Sequence, residues 1–414
     1  MTQRNPSHTP TMEESNLPLR DWILLPLIGL LTIGAIWTAM DFCARRIYPV
    51  QSSSKNCTIR NDPSTGTRGV PNAECWTKEP ETPLVEYRFN SCGHRAGMEC
   101  GPKPPRTYRI VMIGSSFGFG WGVPAAADFA TLLPAKLEDR SGRRIELYNE
   151  AMPEGYPSSV ALRFNEVLAE QPDLILWVLT PTDIQRVEFI VPSPLPPEDG
   201  GFFKRNLHHV EKALATEPLL EAALTIHDLG ALGWSHTVAK FRESPSGILL
   251  QNLLYLSHSQ SARSALLGSD DENGYMRSTL SPAWQTKLRE FDGDDKEIGQ
   301  RARTAGVPLV AVLLPLRGQL ALLGTYTWPN GWNPYELDRE LRQIVTRNGG
   351  IYIDVLQDFR PIPDPERYYF PVDGHPTEEG HKLIAAFLAK ELTNGSIPDL
   401  KARATQEALS ARGR

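Results

Sequence analysis

What is scarce in this sequence narrows the field first. Basic residues do not outnumber acidic ones: 43 Lys and Arg stand against 49 Asp and Glu, a net charge of −6. They are scattered rather than clustered, so nucleic acid is not an expected partner. No glycine-rich phosphate loop of the Walker type occurs and no set of residues has metal-ligand spacing, so no cofactor is expected. Cysteine is rare, five residues in 414, and none of the spacings forms the Cys-x-x-Cys pair of a zinc site.

What is present begins with one long apolar run. Residues 22–40, Trp22 to Met40, carry no charge and as a helix would span roughly 28 Å, close to the thickness of a bilayer's hydrocarbon core. This predicts one transmembrane helix, with membrane lipid as its partner, behind a disordered polar tail over residues 1–21. The length of that tail and the lack of a small-x-small cleavage site favour an uncleaved anchor over a signal peptide. Arg45, Arg46, Lys55 and Arg60 follow the run, which by the positive-inside tendency would leave the bulk of the chain cytoplasmic. The cysteines argue the reverse. Cys57, Cys75, Cys92 and Cys100 crowd one loop-rich segment, residues 41–105, as two disulfides of an oxidising compartment would. Three pairings are open, and Cys43 is left over. The cysteine signal carries more weight, so the main domain is expected to be extracytoplasmic (periplasmic).

Short apolar stretches at 108–113, 145–148, 174–179, 309–314 and 351–354 read as buried strands, with helical patterns between them. The alternation predicts an α/β fold: a flavodoxin-like, doubly wound parallel sheet of about five strands. The gap from 179 to 309 exceeds a single crossover. It holds helical patterns around 207–229 and 239–267, and we read about 185–300 as an inserted lid or subdomain. Its apolar piece "GILLQNLLYL" suits either the membrane surface or packing against the sheet, and the second is expected. A polar tail follows, over residues 393–414.

The first strand ends in "MIGSSFGFGWG", placing Ser115 and Ser116 at the carboxyl edge of the sheet. Serine and glycine are ordinary turn residues, but a serine there becomes a nucleophile if a base and an orienting group stand beside it. The last strand is followed by "VDGHPTEEGH", in which Asp373 and His375 are one residue apart and Thr377 is placed to cap a helix. Loops after the first and fifth strands open on the same edge. His94, His208, His209 and His381 have no partner at a telling spacing. Trp328, Trp332 and Tyr335 in "WPNGWNPY" suit either a sugar ring or plain aromatic packing.

These blocks resemble the SGNH/GDSL hydrolase superfamily. "VMIGSSFGFGWGV" is similar to its first block, "YNEAMPEGY" to its second and "DGHPTEEGH" to its last, while "YRFNSCGHRAGME" resembles the leader of membrane-anchored, extracytoplasmic members. The match covers residues 87–183 and 308–392, within an SGNH-like domain over 106–392. The resemblance implies Ser116 as nucleophile, His375 as base and Asp373 as the residue that orients it. It also implies an oxyanion hole from the backbone N–H groups of Ser116 and Gly155, with Thr182 where the family has a third donor, an asparagine. Ser115 replaces the family's aspartate before the nucleophile. The implied activity is that of a membrane-anchored serine esterase or O-acyltransferase, acting on an acylated carbohydrate or other envelope ester. The alternative is a catalytically degenerate member acting as an envelope binding or assembly factor.

Overall fold

The computed structural model describes residues 18, 20–53, 57–62, 66–95, 98–186 and 240–402. The chain divides into two units, Met1–Ile47 and Tyr48–Arg414. The first contains helix α1 (Asp21–Ile47), with a mean hydropathy of 2.1 in its most apolar window, which makes it long and apolar enough to cross a membrane. The expected span lies inside it. Arg45 and Arg46 occupy its last turn, where the helix dipole favours cations.

The second unit opens with more regular structure than its turn-rich composition suggests. Strands β1 (Gln51–Ser52), β2 (Thr58–Asp62), β3 (Gly66–Gly69), β4 (Glu74–Lys78) and β5 (Leu84–Arg88) form a three-stranded antiparallel sheet, β1-β4-β5, and a hairpin, β2-β3. In β4 and β5 exposure alternates, so that Cys75, Thr77, Val85 and Tyr87 point inward, the period of a sheet with one covered face. Of the three possible pairings, the disulfides are Cys57–Cys75 and Cys92–Cys100, with Cα–Cα distances of 6.0 and 6.2 Å. Cys43 is free and exposed.

The main sheet is built from β6 (Thr107–Gly114), β7 (Arg144–Asn149), β8 (Leu174–Leu179), β9 (Leu309–Leu313) and β10 (Ile351–Ile353), each within a residue or two of its expected bounds. Every neighbouring pair is parallel and the order is β10-β9-β8-β6-β7, which is the 2-1-3-4-5 order of flavodoxin-like folds. β6 and β8 are buried along their whole length, as central parallel strands covered on both faces must be. Helices α2 (Ser116–Phe119) and α3 (Phe129–Ser141) follow β6, and α4 (Pro157–Ala169) follows β7. After β8 come α5 (Pro181–Gln185), α6 (Pro245–Tyr255), α7 (His258–Leu267), α8 (Asp270–Asn273) and α9 (Pro282–Thr304). α10 (Arg317–Gly324) and α11 (Glu336–Arg347) follow β9, and α12 (Leu356–Phe359) and α13 (Glu378–Leu392) follow β10. α3 packs on α13, and α9 on α4 and α11, the two helix layers that right-handed crossovers require of this order.

Two expectations about the long gap change. α9 buries Trp284, Leu288, Phe291 and Ile298 as the crossover helix between β8 and β9, so its residues belong to the core scheme rather than to an insertion reaching 300. α6 buries Ile248 but leaves Leu250, Leu253 and Leu254 exposed, so "GILLQNLLYL" does not pack against the sheet as expected. Its apolar residues ring the helix, and no single contact can cover them all. The helical pattern around 207–229, His208 and His209 lie outside the described residues.

Candidate active site

The turn that carries Ser116 is dictated by crowding at the end of β6. Gly114 has φ +148°, and a Cβ there would come within 2.3 Å of Val178 O on the neighbouring strand. Without a side chain the strand can stop against β8 and turn at once into α2, of which Ser116 is the first residue. The backbone N–H groups at the start of such a turn have no intrahelical acceptor. Asn149, at the end of β7, donates to Gly118 O at 2.9 Å and accepts from Ala151 N at 3.1 Å, holding the turn against the next loop.

The leader braces the same turn from outside the sheet. Arg95 is buried and donates to Phe119 O, Gly120 O and, at 2.5 Å, Val123 O. Its guanidinium lies 4.6 Å from the Tyr87 ring centre and 4.9 Å from that of Phe119. The Tyr87 hydroxyl accepts from Gly122 N at 3.0 Å. The motif "YRFNSCGHRAG" therefore contributes architecture.

His375 arrives on the loop between residues 369 and 377. Thr377 accepts from Gly380 N at 3.3 Å and caps α13 as its position suggested. Phe370 N donates to His375 O at 2.9 Å, Gly374 N to Phe370 O at 3.1 Å, and Gly374 takes φ +83° to close the loop. The loop has a second anchor that sequence reasoning missed. The Glu81 carboxylate, between β4 and β5, accepts from Val372 N at 2.9 Å and Asp373 N at 2.6 Å. Burial pushes the Glu81 carboxyl up, against these backbone hydrogen bonds that hold it down.

The two loops meet. Ser116 Oγ lies 2.7 Å from His375 Nε2, and His375 Nδ1 lies 2.8 Å from Asp373 Oδ1, which also accepts from His375 N at 3.1 Å. Burial acts to raise the Asp373 carboxyl, but the charge of His375 and the hydrogen bonds from its ring and backbone outweigh it. The group is held below the usual carboxylate range. Phe117 packs against the His375 ring at 5.0 Å and Trp121 at 6.4 Å between ring centres. A cavity of about 540 Å³ opens over Ser116, lined among others by Trp121, Glu154, Tyr156, Thr182 and His375.

The expected oxyanion donors fare differently. Ser116 and Thr182 line this cavity. Gly155 does not: it is buried, and its N–H donates to Met152 O at 2.8 Å. Its lack of a side chain serves packing, since a Cβ would come within 2.5 Å of Gly114 O. The left-handed residue of this loop is Glu154, with φ +64°. Beneath the site, the buried Asp183 accepts from Thr180 N at 2.7 Å and the Thr180 hydroxyl at 2.9 Å. Burial pushes its carboxyl up to about 6, against Ser115, Thr180 and the charge of His375, which hold it down.

Other sequence candidates fall elsewhere. His381 is fully buried and its Nδ1 accepts from Phe129 N at 3.1 Å, a packing role. Trp328 donates to Leu322 O at 2.8 Å and meets Tyr335 edge-on at 5.7 Å, while Arg277 covers Trp332. These aromatics pack on the protein. Among the described residues, His94, Glu150 and Glu170 converge within ligating distance of one another, as do His258, Asp364 and Glu366. Both sets already contain internal partners: Arg163 donates to Glu150 at 3.2 Å, and His258 Nδ1 lies 2.9 Å from Glu366 Oε1.

No family model and no curated protein matches the chain. Solved structures similar to it include an acetylxylan esterase from Geobacillus stearothermophilus, at 12% identity and TM-score 0.36, over 69% of this chain and 94% of that one. An alpha/beta hydrolase enzyme from the metagenome of Lake Arreo, Spain, is similar at 15% identity and TM-score 0.36, over 68% and 94%. A lipase/acylhydrolase from Enterococcus faecalis is similar at 11% identity and TM-score 0.35, over 69% and 95%. Likenesses this remote carry no argument about activity, which has to be reasoned from the side chains.

Proposed function

We propose that this chain is a serine esterase or O-acyltransferase of the SGNH/GDSL type, anchored in a membrane by α1 with its catalytic unit on the extracytoplasmic side. The observation that carries the reading is the continuous hydrogen-bonded line Ser116–His375–Asp373, at 2.7 and 2.8 Å, facing an open cavity. Asp373 holds the ring so that Nε2 faces the hydroxyl. His375 then takes the Ser116 proton as Oγ attacks an ester carbonyl, and returns it to the departing alcohol as the acyl-enzyme forms. Water or an acceptor hydroxyl, deprotonated by the same ring, releases the acyl group. The oxyanion would be met by the Ser116 N–H and the Thr182 hydroxyl; Gly155 N–H, committed to Met152 O, is not assigned that role. The two disulfides support an oxidising compartment. The expected substrate is an acylated glycan or other envelope ester.

Covalent labelling of the full-length chain in detergent by a fluorophosphonate tests this. Labelling should occur in the unmodified protein and vanish in Ser116→Ala and His375→Ala, with folding unchanged by circular dichroism. Absence of labelling in the unmodified, folded chain would discard the acyl-enzyme and leave the envelope-binding alternative. Once an ester substrate is in hand, Thr182→Val should lower kcat about a hundredfold and Thr182→Asn should not, because one oxyanion donor is worth about that much.

A further inference from the structure

Two guanidinium groups line the cavity over Ser116, and the acyl chemistry has no use for them. Arg186, directly after α5, and Arg317, at the start of α10, both line it. Each guanidinium is braced by neutral groups. Arg317 Nη2 donates to Tyr255 O at 3.2 Å and Ser261 Oγ at 3.1 Å, and the group lies 5.2 Å from the Tyr255 ring centre. Arg317 Nε is buried and has no acceptor. Arg186 Nη1 donates to the Tyr156 hydroxyl at 3.2 Å. Among the described residues no carboxylate lies within 4.0 Å of either. Glu366 and Glu81 act on Arg317 only at longer range, as Glu154 and Asp271 do on Arg186.

The other acids of the cavity are occupied. Asp373 is committed to His375 and Asp183 to Thr180. Glu154 also has a partner. A neighbouring cavity of about 890 Å³ shares Asn273 and Leu316 with the first and is lined by Arg242, Arg263 and one carboxylate, Glu272, which accepts from Ser269 N at 3.1 Å. Arg317 is partly buried, Arg186 exposed. A guanidinium partly removed from water without a counter-charge, as Arg317 is, is costly to hold, and a bound carboxylate offsets that cost through a charge-assisted, often bidentate pair; the exposed Arg186 adds attraction from the rim.

We infer that the site selects esters whose alcohol part carries carboxylates, as in an acidic glycan, with Arg317 and Arg186 pairing the anion beside Ser116. The inference rests on the acyl chemistry proposed above and names its substrate class. Arg317 and Ser116 line one cavity, so an anion paired with the first and an ester carbonyl at the second can belong to one substrate. Arg242 and Arg263 would then meet further charged units of the same polymer.

The test uses the full-length chain in detergent and two probes differing in one group, a mono-acetylated methyl glucuronoside and the matching mono-acetylated methyl glucoside. The ratio of their kcat/KM values should favour the glucuronoside by about tenfold or more at low salt, shrink as salt screens the pair, and fall toward one in Arg317→Gln and Arg186→Gln. A variant that merely folds poorly lowers both rates and leaves the ratio intact. Hydrolysis of both probes at equal rates overturns the inference and leaves the proposed function standing. If neither is hydrolysed, the proposed function is in difficulty, and calorimetric binding to the Ser116→Ala protein decides the inference by itself. Tighter binding of the glucuronoside that disappears on adding Arg317→Gln supports it, and equal or absent binding of the two overturns it.

Discussion

Two loops meet at the Ser116–His375 hydrogen bond, and they are held by different means. The Ser116 turn grows from a strand buried along its whole length, is shaped by Gly114 against Val178, and is tied by Asn149 and Arg95 through four backbone carbonyls. The base loop follows β10, a three-residue edge strand, and its catalytic end leans on one carboxylate, Glu81. Many ties on one side and few on the other predict that damage to the first unfolds the unit, whereas damage to the second leaves a folded protein with a displaced His375.

Arg95→Met is the harshest test on the nucleophile side. It removes the Arg95 donor from three buried carbonyls, of which Gly120 O keeps a long bond from Val123 N at 3.4 Å, and leaves Asp128 without its neighbour at 4.0 Å. A loss of about 3 kcal/mol in denaturant unfolding is expected, typical of breaking a buried charged network. Activity per folded molecule should fall with it.

Asp183→Asn probes the floor of the site through pH. The Asp183 carboxyl is raised to about 6 in the folded chain, above the ordinary value near 4 in the unfolded one. Its contribution is therefore fully present below about pH 4 and is lost as pH rises through about 6. The variant, which cannot ionise but can still accept from Thr180, should lack that decline. The difference between the two stability curves should grow by roughly 2–3 kcal/mol from pH 4 to 7.5, and flat curves for both would show that Asp183 ionises freely.

On the base side the expected effect on stability is smallest. Glu81→Ala should leave the melting temperature within a few degrees while lowering kcat about tenfold, with KM little changed. Glu81→Gln, whose amide oxygen can take the place of Oε2 and accept from both N–H groups without the carboxylate's charge, should recover part of the loss. A Glu81→Ala protein that melts early and keeps its kcat would make Glu81 a structural residue and dissolve the contrast between the loops.

How much of this was legible in the sequence depended on where each residue's partner lies. The five main strands could be read because burial on both faces leaves continuous apolar runs such as Leu174–Leu179. Ser116, Asp373 and His375 could be read from residue type and from their place after a strand. β4 and β5 were harder, being five residues each with only two inward-pointing positions, set among cysteines and turn residues. Glu81 was illegible, because it acts on backbone N–H groups 291 and 292 residues away. Arg95 likewise meets carbonyls, which have no letter in a sequence. Gly155 misled for a related reason: a glycine in the second block suggests a free N–H, but the turn it belongs to has already used that donor.

The bracing by Glu81, Tyr87 and Arg95 bears on how the protein may be cut. A fragment beginning at residue 106 would retain all five parallel strands, the nucleophile, the base and its orienting acid, and would look complete by any inventory of parts. It would nonetheless lack the clamp on the turn at 119–123 and the tether on the loop at 372–373. The smallest unit that can be dissected out with Ser116 and His375 still held together therefore begins in the disulfide-bearing segment, well upstream of the sheet it supports.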